Sequence, residues 1–462
     1  MSGPGVTLAF TANAFIQNPV AAHREPGFVK LVDLLHDADA AIANVECVIQ
    51  DGENWPAFWA GMAWEGTPLT SMSAPPHMVD DLKFMGITAV TAANNHVGDF
   101  GEGGILSTIE HLKRGGMPFA GIGASLTEAS QACYVETANG RVALIAAADW
   151  GPKQQMEIPA PWPAGYMPSD ERPPFRSRPG INLLRYAPIF QVNREAFDQL
   201  RNISKAFGWE RGKARRRLGV QRGAPLMGTM LGWETDTDTE FFFMGRKFVL
   251  GDTFGMSTVP YEEDLERIYQ QIREARRQAD VVVVALHDQS HGDHDYVRIF
   301  AHGAIEAGAD VYFNNGGTHR GIEIYEGKMI LYGQSSFYLQ NDQVTQVPSA
   351  MMRRMGLGPD DTASDFLRAR SEGRDGEEPE FSAAGSMIHR VELDEQGNVR
   401  EITVHPVWYG ARFAAGGRKG VPQLAEPGSE VFNKVVNRTV ERSKPFGTRV
   451  EILEDRARVS VE

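Results

Sequence analysis

Short apolar runs alternate with segments of helical periodicity along the first third of this chain, and that alternation restricts its fold more than any other feature. VTLAF (6–10), AAIANVE (40–46), TAVTAANN (88–95) and VALIAAA (142–148) have strand length and near-continuous apolarity, the pattern of strands covered on both faces. Between them, GFVKLVDLLHDA (27–38), PHMVDDLKFMG (76–86) and GGILSTIEHLKRGG (103–116) space their apolar residues as helices do, and the last closes on a Gly-Gly helix stop. Strands alternating with helices predict a layered α/β domain.

The rhythm breaks after residue 149. Prolines recur from Pro159 to Pro188 and argue against long regular elements, and a basic run at 211–222 reads as a solvated helix face rather than an anion-binding patch. The rhythm resumes with an amphipathic helix at 262–279, VVVVAL (281–286), a helix over 297–307 and ADVYFNN (309–315). Hairpins follow at 322–333, turning on Glu-Gly, and at 386–410, turning on Gln-Gly-Asn, with a polar excursion over 345–385 between them. The expected organisation is one α/β domain built from 1–149 and 258–410, an insertion or lid at 150–257, and a C-terminal extension at 411–462 that carries no clear pattern.

Composition narrows the partners. The 462 residues carry 46 Lys+Arg against 60 Asp+Glu, a formal charge of −14. That charge disfavours nucleic acid, which needs phosphate neutralisation, and anionic membrane surfaces. Two cysteines, Cys47 and Cys133, make neither a disulfide framework nor a thiolate-rich zinc site. No run approaches the roughly 18 apolar residues of a membrane span, and the first residues lack a signal-peptide pattern. The expectation is a soluble cytoplasmic protein, with homo-oligomerisation left open.

Chemistry concentrates where the strands end. In layered α/β sheets, ligands bind beyond the carboxyl ends of the strands. Here those ends carry Asn13; Asn44 and Glu46; Asn94, Asn95 and His96, with Asp99 close behind; His287 and Asp288; and Asn314, Asn315 and His319. HDQSHGDHD (287–295) packs three His and three Asp into nine residues, which adds His291 and His294 as alternative ligands. Imidazole with carboxylate and amide oxygens suits one or two borderline divalent ions such as Mn, Zn or Fe, which make water a nucleophile near neutral pH. Arg178, Arg185 and Arg320 are candidate holders of a substrate carboxylate or phosphate. The aromatic segments 55–64 and 159–166 are candidate pocket walls.

At AIANVECVI (41–49), TAANNHVGDFGEGGILSTIEHLKRGGMPFAGIGASLTEA (91–129), ADVVVVALH (279–287) and AGADVYFNNGGTHRGIEIYEGKMILYGQSSF (307–337) the chain resembles the CapA family, named for poly-γ-glutamate capsule biosynthesis, within the calcineurin-like metallophosphoesterase superfamily. The resemblance implies a four-layer α/β/β/α sandwich with metals at the strand ends. It implies Glu46, Asn95, His287 and His319 as ligands, with Asn13 at the position of a further one, and His96 as acid or transition-state stabiliser oriented by Asp99. Two departures stand out. The family usually has Gly-Asp where this chain has Ala12-Asn13, and a His pair separated by two residues of which the first position is Gly316 here. A mononuclear or remodelled centre follows, in a hydrolase of an amide, ester or phosphoester of a small molecule or γ-glutamyl-type substrate. The alternative is a non-catalytic polysaccharide- or polyanion-binding accessory protein with a degenerate centre.

Overall fold

The computed structural model describes residues 5–56, 71–150, 179–214, 236–244, 246–288, 294–317, 319–334, 336–340, 347, 349–371, 385–409 and 421–459. Arg178, His291 and the segment 159–166 lie outside them, as does most of 55–64. The chain is mixed α/β and divides into two compact units, one of 1–184, 266–291 and 301–462, the other of 185–265 and 292–300. Among the described residues, no helix is long and apolar enough to cross a membrane.

Two sheets form the first unit. In one, Thr7–Phe15 lies parallel to Ala40–Val45, which lies parallel to Ala89–Thr91, followed by Phe119–Ala120. On its other side Thr7–Phe15 pairs antiparallel with Ser386–Leu393 and parallel with Ser336–Leu339. In the other sheet Arg141–Trp150, Val281–His287, Val311–Asn314 and Lys328–Tyr332 run parallel in that order. Gly321–Tyr325 closes its edge antiparallel to Lys328–Tyr332.

The apolar runs are continuous because both faces of these strands are covered. Leu8, Phe10 and Ile42 of the first sheet share one core with Leu144, Val283 and Phe313 of the second, and the rings of Phe10 and Phe313 are 4.8 Å apart. Their sequence neighbours Ala9, Ala41 and Ala43 face the opposite way, onto Phe28, Leu31 and Leu35 of helix Pro26–His36 and Met78 and Leu82 of helix Met78–Phe84. Period-two alternation therefore divides each strand between a sheet-to-sheet core and a sheet-to-helix core. Because the chemistry-bearing strands are parallel, their carboxyl ends lie together along one end of each sheet.

Several sequence expectations reappear as elements. The helix with the Gly-Gly stop spans Gly101–Arg114, with Gly115 as its cap and Gly116 at φ +63°. The Glu-Gly hairpin turns through Glu326 (φ 50°) and Gly327 (φ 77°), the two positive-φ positions of a type I′ turn. Three expectations need correction. The unpatterned C-terminus supplies helix Glu430–Ser443, whose Phe432, Val435 and Val436 enter the sheet-to-sheet core, and strands Val450–Ile452 and Ala457–Val459, which extend the first sheet beyond Val399–Trp408. The excursion at 345–385 holds helices Ser349–Arg354 and Ala363–Ser371. Proline did not prevent a long strand at Leu183–Val192: Pro188 lies inside its antiparallel ladder to Gly255–Pro260, opposite Thr258, and one residue before the parallel ladder to Arg246–Leu250 begins.

The second unit pairs the latter part of that strand with Arg246–Leu250 and Gly255–Pro260 and packs Val192, Phe197, Phe241 and Phe243 together. Lys213, from the basic run, is not solvated: it is buried and bonds Asp236 at 2.6 Å and Glu210 at 2.9 Å. Residues 215–222 of that run lie outside the described residues.

Candidate metal centre

Register sets the frame of the site. Asn13 pairs with Asn44 and Asn44 with Thr91 across the first sheet, while His287 ends its strand opposite Ala148 in the second. Asn44 Nδ2 donates to Asn13 Oδ1 at 2.8 Å and lies 3.3 Å from His287 Nδ1. The Thr91 hydroxyl donates to Asn44 Oδ1 (3.0 Å) and accepts from Asn315 Nδ2 (2.7 Å). Asn315 therefore turns Oδ1 toward His287 Nδ1, 3.0 Å away, so that this nitrogen faces an acceptor on Asn315 and a donor on Asn44.

The ring tautomer decides what Nε2, 2.9 Å from Asn95 Oδ1 and 3.6 Å from Glu46 Oε1, can be. With the proton on Nε2 it donates to Asn95 Oδ1; with the proton on Nδ1 three electron-pair donors meet around one point, the arrangement a cation satisfies. Burial pushes the His287 pKa down to about 4 and the Glu46 pKa up to about 7, the latter opposed by His96 and reinforced by Asp99. Between those values both groups are neutral, and above pH 7 only Glu46 is charged, so their contact is not an ion pair.

His96 stands beside this group. Its Nδ1 lies 2.8 Å from Asp99 Oδ2, which also accepts from Met72 N at 2.7 Å, and its backbone N donates to Asn94 Oδ1 at 3.0 Å. Asp99 thereby fixes the imidazole and leaves Nε2 as its outward atom.

The remaining candidates fall elsewhere. His319 donates from Nδ1 to Gly333 O (3.1 Å), and its ring lies tilted 5.6 Å from that of His389; among the described residues these contacts do not join it to Glu46 or His287. Among the described residues, no three His, Cys, Asp or Glu side chains are grouped so as to hold a metal ion. His294 lies in the second unit, its ring 6.0 Å from that of Tyr296. Arg185 binds Asp264 (2.7 Å) and Glu263, also in the second unit. Arg320 is buried against Asp288 (2.5 Å), which also accepts from Asn314 Nδ2 (3.2 Å). Both guanidinium groups already hold carboxylates, so an anionic substrate would have to compete with them.

Sequence reasoning offered Asn13 and Asn95 as ligands and the other asparagines only as strand-end polar groups. It missed that Asn315 turns its oxygen to His287 Nδ1 and that Thr91 orients the Asn315 amide. It also missed why position 316 is glycine. A Cβ there would sit 2.4 Å from Asp288 O and 2.8 Å from Asp288 N, backbone atoms that cannot rotate aside. Gly316→Ala should cost about 1–3 kcal/mol by overpacking, read from urea unfolding; an unchanged midpoint would show that the loop yields freely.

The family model for bacterial capsule synthesis proteins, PGA_cap, matches residues 7–341. The chain belongs to this family. The PGA_cap proteins are CapA-like and lie in the metallophosphoesterase-like superfamily. Two relatives from Sinorhizobium fredii (strain NBRC 101917 / NGR234), the uncharacterized proteins y4sH and y4uA, are each 28% identical over 484 aligned residues, covering 98% of this chain and 92% of the relative. The PGA_cap match spans Asn13, Glu46, Asn95, His96, Asp99, His287 and His319.

Proposed function

We propose that this PGA_cap protein is a metal-dependent hydrolase with a mononuclear centre, acting on an amide, ester or phosphoester of a small molecule or γ-glutamyl-type substrate. The observation that carries the reading is the meeting of His287 Nε2 with Asn95 Oδ1 and Glu46 Oε1. Asn13 Oδ1, linked through Asn44, is the fourth donor of the proposed set. One imidazole, one carboxylate and two amide oxygens fit a single borderline ion such as Mn, Zn or Fe. They are too few for two. Such an ion supplies Lewis acidity and makes water a competent nucleophile near neutral pH.

The chain's own groups do the rest. Asp99 holds His96 by Nδ1, so that Nε2 can deliver a proton to the leaving group or steady its developing charge. Ligation puts the His287 proton on Nδ1, where Asn315 Oδ1 is placed to accept it. The shared core of the two sheets supports the four-layer arrangement expected of the superfamily.

A second reading is a non-catalytic binding protein with a degenerate centre. It draws on the amide at Asn13, the glycine at 316 and the lack, among the described residues, of a three-membered His/Cys/Asp/Glu group. Turnover separates the two. A panel of chromogenic ester, amide and phosphoester substrates should reveal hydrolysis that EDTA removes and added Mn or Zn restores. His96→Ala should lower kcat on the responsive substrate by about 10²–10⁴-fold, the usual worth of a general acid, with metal affinity retained. Chelator-insensitive turnover, or full activity in His96→Ala, would contradict the assignment.

A further inference from the structure

Asn94 is fully buried and has no part in the proposed chemistry, yet it touches the backbone of two residues that do. Its Nδ2 donates to Val45 O at 2.7 Å and to Ala92 O at 3.2 Å, and lies 3.5 Å from Asn44 Oδ1. Its Oδ1 accepts from His96 N at 3.0 Å. These partners fix which way round the amide sits. Turned over, it would set an oxygen against two carbonyls and an NH2 group against an N–H.

The two backbone groups are the roots of the Glu46 and His96 side chains. Val45 O belongs to the peptide that leads into Glu46, and the N–H of that same peptide donates to Ala14 O at 3.1 Å. The peptide is therefore held from both sides, by Asn94 and by the residue after Asn13. At the other end of the amide, His96 N belongs to the peptide that leads into the imidazole, whose Nδ1 is held in turn by Asp99 Oδ2 at 2.8 Å. One short planar side chain thus spans from the end of strand Ala40–Val45 to the loop that follows Ala89–Thr91.

We propose that Asn94 is a positioning residue which sets the spacing between the Glu46 carboxylate and the His96 imidazole. The inference rests on the hydrolase reading, in which Glu46 is a ligand and His96 the proton donor. Strand pairing alone fixes only the register of the two backbones, Asn44 opposite Thr91. Beyond that pair the chains are joined by the Asn94 amide. A leucine at 94 has nearly the same size but neither the donors nor the acceptor, so it fills the space and releases both peptides. If Asn94 merely satisfied buried backbone groups, its loss would lower stability and leave the two side chains where they are.

Crystal structures of the metal-free natural chain and of Asn94→Leu test this without relying on a metal. The strands should superpose, while the Glu46 carboxylate and the His96 imidazole shift relative to each other by about 1 Å, a misplacement large enough to matter to catalysis. An unmoved pair overturns the proposal. Titration of the chelator-stripped variant with Mn should show affinity lowered about tenfold or more, as when a residue supporting a ligand is removed. On a chromogenic substrate that the natural chain hydrolyses, kcat at saturating Mn should fall about 10²-fold with KM unchanged. Natural Mn affinity and kcat, with only the urea midpoint lowered, would also overturn it. Should Asn94→Leu not fold, the same comparison is made on Asn94→Ala, whose smaller side chain lets water reach the released peptides. A natural chain that binds no Mn contradicts the proposed centre, and the crystal comparison then still decides the role of Asn94.

Discussion

Arg320→Met should cost about 3–5 kcal/mol of unfolding free energy, the scale set by breaking a buried ion pair from one side. The Asp288 carboxylate is fully buried, bonded to Arg320 Nη2 at 2.5 Å and to Asn314 Nδ2 at 3.2 Å. Methionine replaces much of the volume but not the charge, so the loss reports an uncompensated carboxylate rather than a cavity. Adding Asp288→Asn to Arg320→Met should return most of the stability, because the stranded charge is then gone. The exposed pair Arg114–Glu110 supplies the contrast: Arg114→Met should change stability by less than about 1 kcal/mol, as screened surface pairs do. Urea unfolding of the three variants beside the natural chain decides the matter, and a loss below about 1 kcal/mol for Arg320→Met would show that Asp288 is solvated or neutral.

Metal-free protein should also lose stability steeply in mild acid. Burial lowers the pKa of His287, His319 and His405 from 6.5 to about 4, and lowers that of His389 as well. Around His405, Arg456 and Arg390 push the same way and Asp455 opposes them. His287, His319 and His405 each take up a proton near pH 6.5 when unfolded and only near pH 4 when folded. The unfolded chain therefore holds more protons between those values, and stability rises with pH. The contribution is complete above about pH 6.5 and disappears as the pH falls toward 4, at roughly 3 kcal/mol per histidine. Glu46, raised to about 7, works in the opposite sense and cancels about one of them. A net loss of roughly 6 kcal/mol is comparable with the whole stability of many domains. Unfolding free energies measured in EDTA should fall across this window, and His405→Gln should flatten the slope by up to one proton. Equal stability at pH 7 and pH 4.5 would contradict the neutral buried state of these side chains.

The sequence was most informative where one local rule decided the structure. Continuous apolar strands such as VVVVAL could only be covered on both faces, and Glu326-Gly327 could only turn a hairpin. Parallel strands then brought Asn13, Glu46, Asn95 and His287 toward one place. Residues 421–459 escaped because their helix and short strands are stabilised by joining a sheet already formed, not by their own periodicity. Within the site, the chemical type of each group could be read from the chain but not its protonation. The acceptor facing His287 Nδ1 is set by Thr91 acting through Asn315, residues 224 apart, and no local spacing carries that information. The same holds for Lys213, whose burial depends on Asp236 and Glu210 closing around it.

Isothermal titration of chelator-stripped protein with Mn and with Zn, repeated on His287→Ala, asks most directly whether the Glu46, Asn95 and His287 side chains form a cation site. One equivalent bound by the natural chain, and none by the variant, is the predicted result. No binding to the natural chain, or unchanged binding to His287→Ala, would contradict it.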